Sequence, residues 1–229
     1  MNLFPYLFAF GISCTSLVSA ELHPFSNAEE VRDLFEVKTD PAALKLQPEG
    51  SDTALLFAPQ KTASSVLIYG GERDRRELEA PGAAIDFCIR QYGSFGLYVR
   101  GSKDRGGTGA YLILVNQERG NRGKLRVFKN AIWPQRYPEN DLLGQQDLRK
   151  LPPAVWYRLE VKTVDQANGI PRIEGRLIEP ESGTILGDII VEDTVDPLPT
   201  AGQIALRLYV EKPGKDGIEL KNFVISTEK

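Results

Sequence analysis

The chain has 229 residues, with 28 Lys plus Arg against 31 Asp plus Glu, a formal charge of −3, and two cysteines. Neither sign of charge forms a long run, which argues against general nucleic-acid binding, where a basic face must displace counterions. With one histidine and two cysteines, neither a Cys/His zinc centre nor a His-activated nucleophile can be assembled in the core.

The first twenty residues carry no charged side chain, run apolar from Leu3 to Ile12 and finish Val18-Ser19-Ala20. This small-x-small ending predicts a signal peptide, residues 1–20, cleaved after Ala20. The apolar run is shorter than the about 20 residues a membrane span requires, and Pro5 interrupts it. The expected product is a single domain, 21–229, secreted or periplasmic, with no membrane span after cleavage. Gly11-Ile12-Ser13-Cys14 resembles a lipoprotein cleavage box and leaves acylation of Cys14 open as an alternative. Otherwise Cys14 departs with the leader, and Cys88 remains as the one cysteine, with no internal disulfide. That pattern and the lack of an Asn-x-Ser/Thr sequon suit bacterial export.

Downstream, Ser26-Asn27-Ala28-Glu29 has capping-box spacing and opens a short helical pattern through Leu34 and Phe35. Ala43–Leu46 and Thr53–Phe57 form an expected hairpin around Pro48-Glu49-Gly50, and Ser65–Tyr69 a third strand. In 84–91, Ile85, Phe87 and Ile89 alternate with Asp86, Cys88 and Arg90; in 95–100, Phe95, Leu97 and Val99 alternate with Gly96, Tyr98 and Arg100. Successive strand side chains point to opposite faces, so each segment has a buried and a wet side, and the two together read as a hairpin. Gly101–Gly109 is polar loop, without the Gly-Lys-Ser/Thr of a phosphate cradle. Residues 110–116 are apolar on both faces, as a central covered strand would be. Leu125–Lys129 follows a turn at Gly120–Gly123. Residues 130–153, with four prolines and Trp133, read as a long loop. Alternation resumes in 156–162, 173–178, 185–191, 203–210 and 218–225, with turns at Asn168-Gly169, Ser182-Gly183 and Lys215-Asp216-Gly217. The expectation is an all-β antiparallel sandwich of about twelve strands with one N-terminal helix.

Four stretches carry a resemblance to a known superfamily: Phe95-Gly96-Leu97-Tyr98-Val99-Arg100; Ala110-Tyr111-Leu112-Ile113-Leu114-Val115-Asn116; Trp156-Tyr157-Arg158-Leu159-Glu160-Val161; and Gly202-Gln203-Ile204-Ala205-Leu206-Arg207 leading to Leu220-Lys221-Asn222-Phe223-Val224-Ile225. Their order is similar to that of the concanavalin A-like lectin/glucanase superfamily, over about residues 35 to 226. These are jelly-roll sandwiches that include laminin-G-type domains and many bacterial sugar-binding modules. The resemblance implies a lectin-like carbohydrate-binding domain with one concave sheet presenting its wet side chains to a sugar chain. Asp86, Arg90, Tyr98, Arg100, Arg207 and Tyr209 are the candidate ligand-binding residues, joined by Trp133 as a stacking platform. Arginine-rich faces favour acidic saccharides. A solvated face of cross-strand ion pairs is the competing account of the same residues.

No catalytic residue and no cofactor is assigned. Members of the superfamily often hold calcium, for which Glu139, Asn140 and Asp141 offer oxygen ligands. The Glu-x-Asp-x-x-Glu strand of its glycoside hydrolases is absent; Glu72–Glu77 has the wrong spacing. That stretch also resembles the Arg-x-Glu-x-Arg strand of jelly-roll alginate lyases, whose Gln-x-His segment is missing here. The domain is similar as well to 3-keto-disaccharide hydrolases, yet lacks their Asn-Ser-Gly-Ile strand and late Leu-Asn-Gly turn. A polysaccharide-cleaving enzyme and a surface interaction module without a sugar ligand stay open beside the lectin-like reading. A monomer is expected.

Overall fold

The computed structural model describes residues 18–23, 25–37, 43–49, 52–70, 78–79, 81–101, 109–118, 120–130, 142–211 and 217–228. In chain order these form β1 (Val18–His23), α1 (Ala28–Leu34), β2 (Phe35–Val37), β3 (Leu44–Glu49), β4 (Asp52–Phe57), β5 (Ala63–Tyr69), β6 (Leu78–Glu79), β7 (Gly82–Ile89), β8 (Gly93–Gly101), β9 (Ala110–Glu118), β10 (Arg122–Asn130), β11 (Leu142–Leu148), β12 (Trp156–Asp165), β13 (Pro171–Glu179), β14 (Thr184–Glu192), β15 (Ala201–Val210) and β16 (Ile218–Glu228). Two antiparallel sheets result. Sheet I has the order β14-β13-β12-β7-β16-β4-β3, with β1 also on β16; sheet II has the order β11-β10-β9-β8-β15-β5-β2, with β6 also on β15.

The expected all-β sandwich is therefore present, with sixteen strands among the described residues rather than about twelve. Three of the additional strands, β1, β2 and β6, are at most six residues long. The fourth, β11, lies inside the stretch read as a 130–153 loop. Its sequence Leu-Leu-Gly-Gln-Gln-Asp-Leu leaves most side chains at least partly exposed, so it lacks the apolar period that would have marked it. The helix also starts one residue later than the capping box suggested. Asn27 is the cap, its Oδ1 accepting from Glu29 N and Glu30 N, while Ser26 N donates to the Glu30 carboxylate.

Alternation fixes which side chains enter the space between the sheets. Ile85, Phe87, Leu159, Ile218 and Leu220 of sheet I meet Phe95, Leu97, Ile113, Val115, Leu206 and Leu208 of sheet II, all buried in one cluster. At 25 cal/mol per Å², burial of each such side chain stabilises by roughly 1.5–3 kcal/mol. The register corrects one expectation: β7 and β8 are not a hairpin. β7 hydrogen-bonds β12 and β16 in sheet I, whereas β8 hydrogen-bonds β15 and β9 in sheet II. After Arg90, whose N–H is taken by Gly217 O, the chain crosses the sandwich. Phe87 and Phe95 consequently stack face to face, centroids 4.6 Å apart, across the core.

Sheet II is apolar on its other side as well. Val66, Ile68, Tyr98, Ala110, Leu112, Leu114, Phe128 and Ala205 form a second buried cluster there, which is why β9 reads as apolar on both faces. Along one side the sandwich is closed where β11 meets β14. Gln146 Oε1 accepts from Asp188 N at 2.8 Å, and glycines permit the approach: a Cβ on Gly144 would lie 2.5 Å from Val191 Cγ1.

Replacing Phe95 by alanine removes half of the cross-sheet stack and leaves a cavity, so stability should fall by about 3–5 kcal/mol in urea unfolding. A loss of less than about 1 kcal/mol would mean that the two sheets are not held together there.

Candidate functional site

The crossing between β7 and β8 decides where the candidate residues go. Asp86 and Arg90 belong to sheet I, and Tyr98, Arg207 and Tyr209 to sheet II, so equal outward parity sends the two groups to opposite exteriors of the sandwich. The expected single groove holding all of them is not formed. Trp133 and the 139–141 oxygen cluster lie outside the described residues, as do Cys14 and Glu72–Glu77.

On sheet II, Tyr98, Arg207 and Tyr209 come together. Arg207 pairs in register with Gly96, Tyr98 with Ala205, and Tyr209 with Ser94, placing the guanidinium between two tyrosines on one face. Arg207 hydrogen-bonds the Tyr98 phenol. Burial pushes the Tyr98 pKa up, with Arg207 opposing the shift. Moving along the strands, the apolar row of Ile68, Ala205, Tyr98, Leu112 and Phe128 gives way to a polar row of Ser64, Tyr209, Ser94, Asn116, Lys124 and Asp147. Tyr209, Asn116 and Lys124 are partly exposed, while Tyr98 and Arg207 are buried behind them. Among the described residues, the buried Asn116 Oδ1 has no hydrogen-bond partner.

Arg100 leaves this face. One extra residue in β8 shifts its register against β15, and Arg100 takes a left-handed φ of 56°, a conformation that costs of order 1–3 kcal/mol and needs surrounding support. That support is Asp165 at the end of β12, whose Oδ1 accepts from Arg100 Nη1 at 2.8 Å; Arg100 is fully buried. The glycine leading β15 has its reason here, because a Cβ on Gly202 would sit 2.4 Å from the Arg100 carbonyl carbon. Burial raises the Asp165 pKa, but hydrogen bonds from Arg100 and Thr200 and the Arg100 charge outweigh it, holding the carboxyl below its ordinary value. Alongside, Tyr111 donates to Asp193 Oδ2 at 2.7 Å, and Lys129 Nζ pairs with the same oxygen at 2.8 Å. This strap ties the segment after β14 to the end of sheet II.

The outer face of sheet I is an ion-pair lattice. Asp86 accepts from Arg158 Nε (2.6 Å), Arg158 Nη2 (3.2 Å) and Asn222 Nδ2 (2.7 Å). A bulge in β16, with Asn222 at φ 53°, aims that amide at Asp86. Arg90 pairs with Glu219 at 2.6 Å, and Gln47 donates to the same carboxylate. The Lys221 ammonium lies 4.0 Å from the Trp156 ring centroid. Nearby, burial raises the Glu160 pKa, opposed by Arg158 and Arg176. Trp156 and Arg158 were not among the candidates, although their parity, opposite to Tyr157, Leu159 and Val161, already marked them as outward. Cys88, in the row between Trp156 and Glu219, is a buried thiol outside any disulfide. Among the described residues, no three His, Cys, Asp or Glu side chains are grouped to hold a metal, and no helix is long and apolar enough to cross a membrane.

No protein-family model and no curated protein matches the sequence. Solved structures do match, and they show the concanavalin A-like lectin fold. Lectin II from Ulex europaeus aligns with 10% identity over 94% of this chain and 100% of its own, at a TM-score of 0.52. A legume lectin-like domain from Entamoeba histolytica aligns with 11% identity over 90% and 95%, at 0.55. A protein of unknown function from Shewanella oneidensis MR-1 aligns with 13% identity over 99% and 97%, also at 0.55. Identities this low establish shared architecture.

Asp165 gives a pH test. Its folded pKa is lowered, so the pair stabilises the domain above the ordinary carboxylate range, and this contribution disappears as pH falls through the folded value. Asp165→Asn should cost on the order of 3 kcal/mol at pH 7, since it leaves a buried guanidinium without its counter-charge. It should also flatten the loss of stability seen for the parent below about pH 4. Equal urea midpoints for variant and parent at pH 7 would contradict this role.

Proposed function

We propose that the chain is an exported, non-catalytic carbohydrate-binding domain that takes an acidic saccharide on the outer face of sheet II. The observation that carries this reading is the Arg207 guanidinium, set between Tyr98 and Tyr209 beside the polar row of Ser94, Asn116 and Lys124. A guanidinium pairs a uronate carboxylate in two parallel hydrogen bonds, a tyrosine ring offers apolar area to a pyranose face, and the partly exposed Lys124 ammonium can donate to a sugar hydroxyl or carboxylate. The lectin architecture supports the reading, since two of its structural neighbours are a lectin and a lectin-like domain. The absence of catalysis rests on the sequence. Its one histidine, His23, lies in β1 against Tyr69 and Phe223 and not near Arg207.

Export rests on the leader. The proposed cleavage bond, Ala20–Glu21, falls inside β1, so processing leaves Glu21, Leu22 and His23 to pair with Ile225, Val224 and Phe223. N-terminal sequencing of exported material should begin at Glu21; a start at Met1 would overturn processing.

Affinity electrophoresis through polyuronate and neutral-glycan gels tests the binding. The parent should be retarded by the polyuronate, and Arg207→Ala should weaken retention about tenfold, as expected for losing a charge-assisted hydrogen bond. No retardation on any glycan would end the reading, and release of reducing ends or unsaturated uronates would replace it with an enzyme.

A further inference from the structure

We infer that the outer face of sheet I carries a second acidic-saccharide platform centred on Trp156, so that a single chain grips two glycan strands on opposite sides of the sandwich. The inference rests on the reading that the domain binds saccharide, and extends it to a face with different residues.

The argument starts from how charge is layered. Around Trp156 the acids lie underneath and the cations above. The Asp86 and Glu219 side chains are each 4% exposed, against 23% for their partner Arg158 and 36% for Arg90. The exposed pairs Arg176–Asp188, at 37% and 41%, and Lys124–Glu118, at 29% and 41%, do not have this layering; Lys129 over Asp193, at 23% and 2%, shares it at the end of sheet II but has no exposed aromatic ring in its row. A ligand approaching Trp156 therefore meets the guanidinium edges of Arg90 and Arg158 and the Lys221 ammonium, while the neutralising carboxylates are screened beneath them. The sheet register makes the arrangement flat and compact. Trp156, Cys88 and Glu219 stand in one cross-strand row, and Arg158, Asp86 and Lys221 in the next, over the central strands β12, β7 and β16.

Each group in this arrangement has a use in glycan recognition. Trp156 is partly exposed and contributes a planar apolar surface. Lys221, held near the ring by cation–π attraction, is placed to pair with a carboxylate or sulfate carried on a sugar stacked beside it. Gln47 and Asn222, whose amides are engaged with Glu219 and Asp86, keep the two acids in place. The flat geometry suits a chain lying across the strands, and with an acidic chain on the other face the domain would bridge two polysaccharides without oligomerising.

The test uses the full exported chain, ¹⁵N-labelled, titrated with a short oligogalacturonate. Two tryptophans give two indole N–H signals, and the one missing in Trp156→Phe identifies Trp156. The expected result is a saturable shift of that signal and a calorimetric stoichiometry of two ligands per chain. Lys221→Gln leaves the ring in place and should reduce the stoichiometry to one, whereas in Arg207→Ala the Trp156 signal should still respond. Polygalacturonate-coated beads should be aggregated by the parent and not by Lys221→Gln. A Trp156 signal that stays fixed while one ligand per chain saturates would overturn this inference and leave the sheet II reading standing. Absence of any binding would remove both.

Discussion

The structure depends on two alternating surfaces being pressed together, and the contact that shows this best is the stack of Phe87 on Phe95. β7 and β8, though consecutive in the chain, lie in different sheets, so Phe87 faces Phe95 across the core instead of standing beside it. Nearly every other placement follows from that crossing. The wet sides of these neighbouring segments emerge on opposite exteriors, which gives the domain two chemically different outer faces.

Those faces differ because only one is a plain exterior. On sheet I the outward positions are charged and satisfied pairwise, with the most buried acids, Asp86 and Glu219, each held by an arginine and an amide. Breaking one such partner would leave a buried charge, which is strongly destabilising. On sheet II the outward positions are largely apolar and buried, and polar groups gather towards the turn at the start of β8. Arg207 stands at that boundary. Its guanidinium is held by Tyr98, one row behind the more accessible Tyr209.

Much of the fold was legible from periodicity, because parity is a local property: which side chains of β7, β8, β12 and β15 point inward can be read from the residues alone. Sheet membership is not local. Nothing in Arg90-Gln91-Tyr92 distinguishes a hairpin turn from a crossing, and that one ambiguity merged two exteriors into one imagined groove. Arg100 was misplaced for a different reason. A bulge with a left-handed non-glycine residue breaks the period of two, and its cause, a buried pairing with Asp165, lies 65 residues away. The outward parity of Trp156 and Arg158 was legible from their alternation with Tyr157, Leu159 and Val161, but a tryptophan opening a strand reads equally as core or edge packing, and parity alone does not separate the two. The strand β11, with two glutamines and a glycine, carried no periodic signal.

The most direct measurement is amide hydrogen exchange of the full chain with and without saturating polyuronate. The account predicts added protection in peptides covering Ser94–Val99 and Gln203–Val210, the strands that carry Tyr98, Arg207 and Tyr209. Unchanged exchange in both peptides, at a polyuronate concentration that demonstrably saturates the protein, would contradict it.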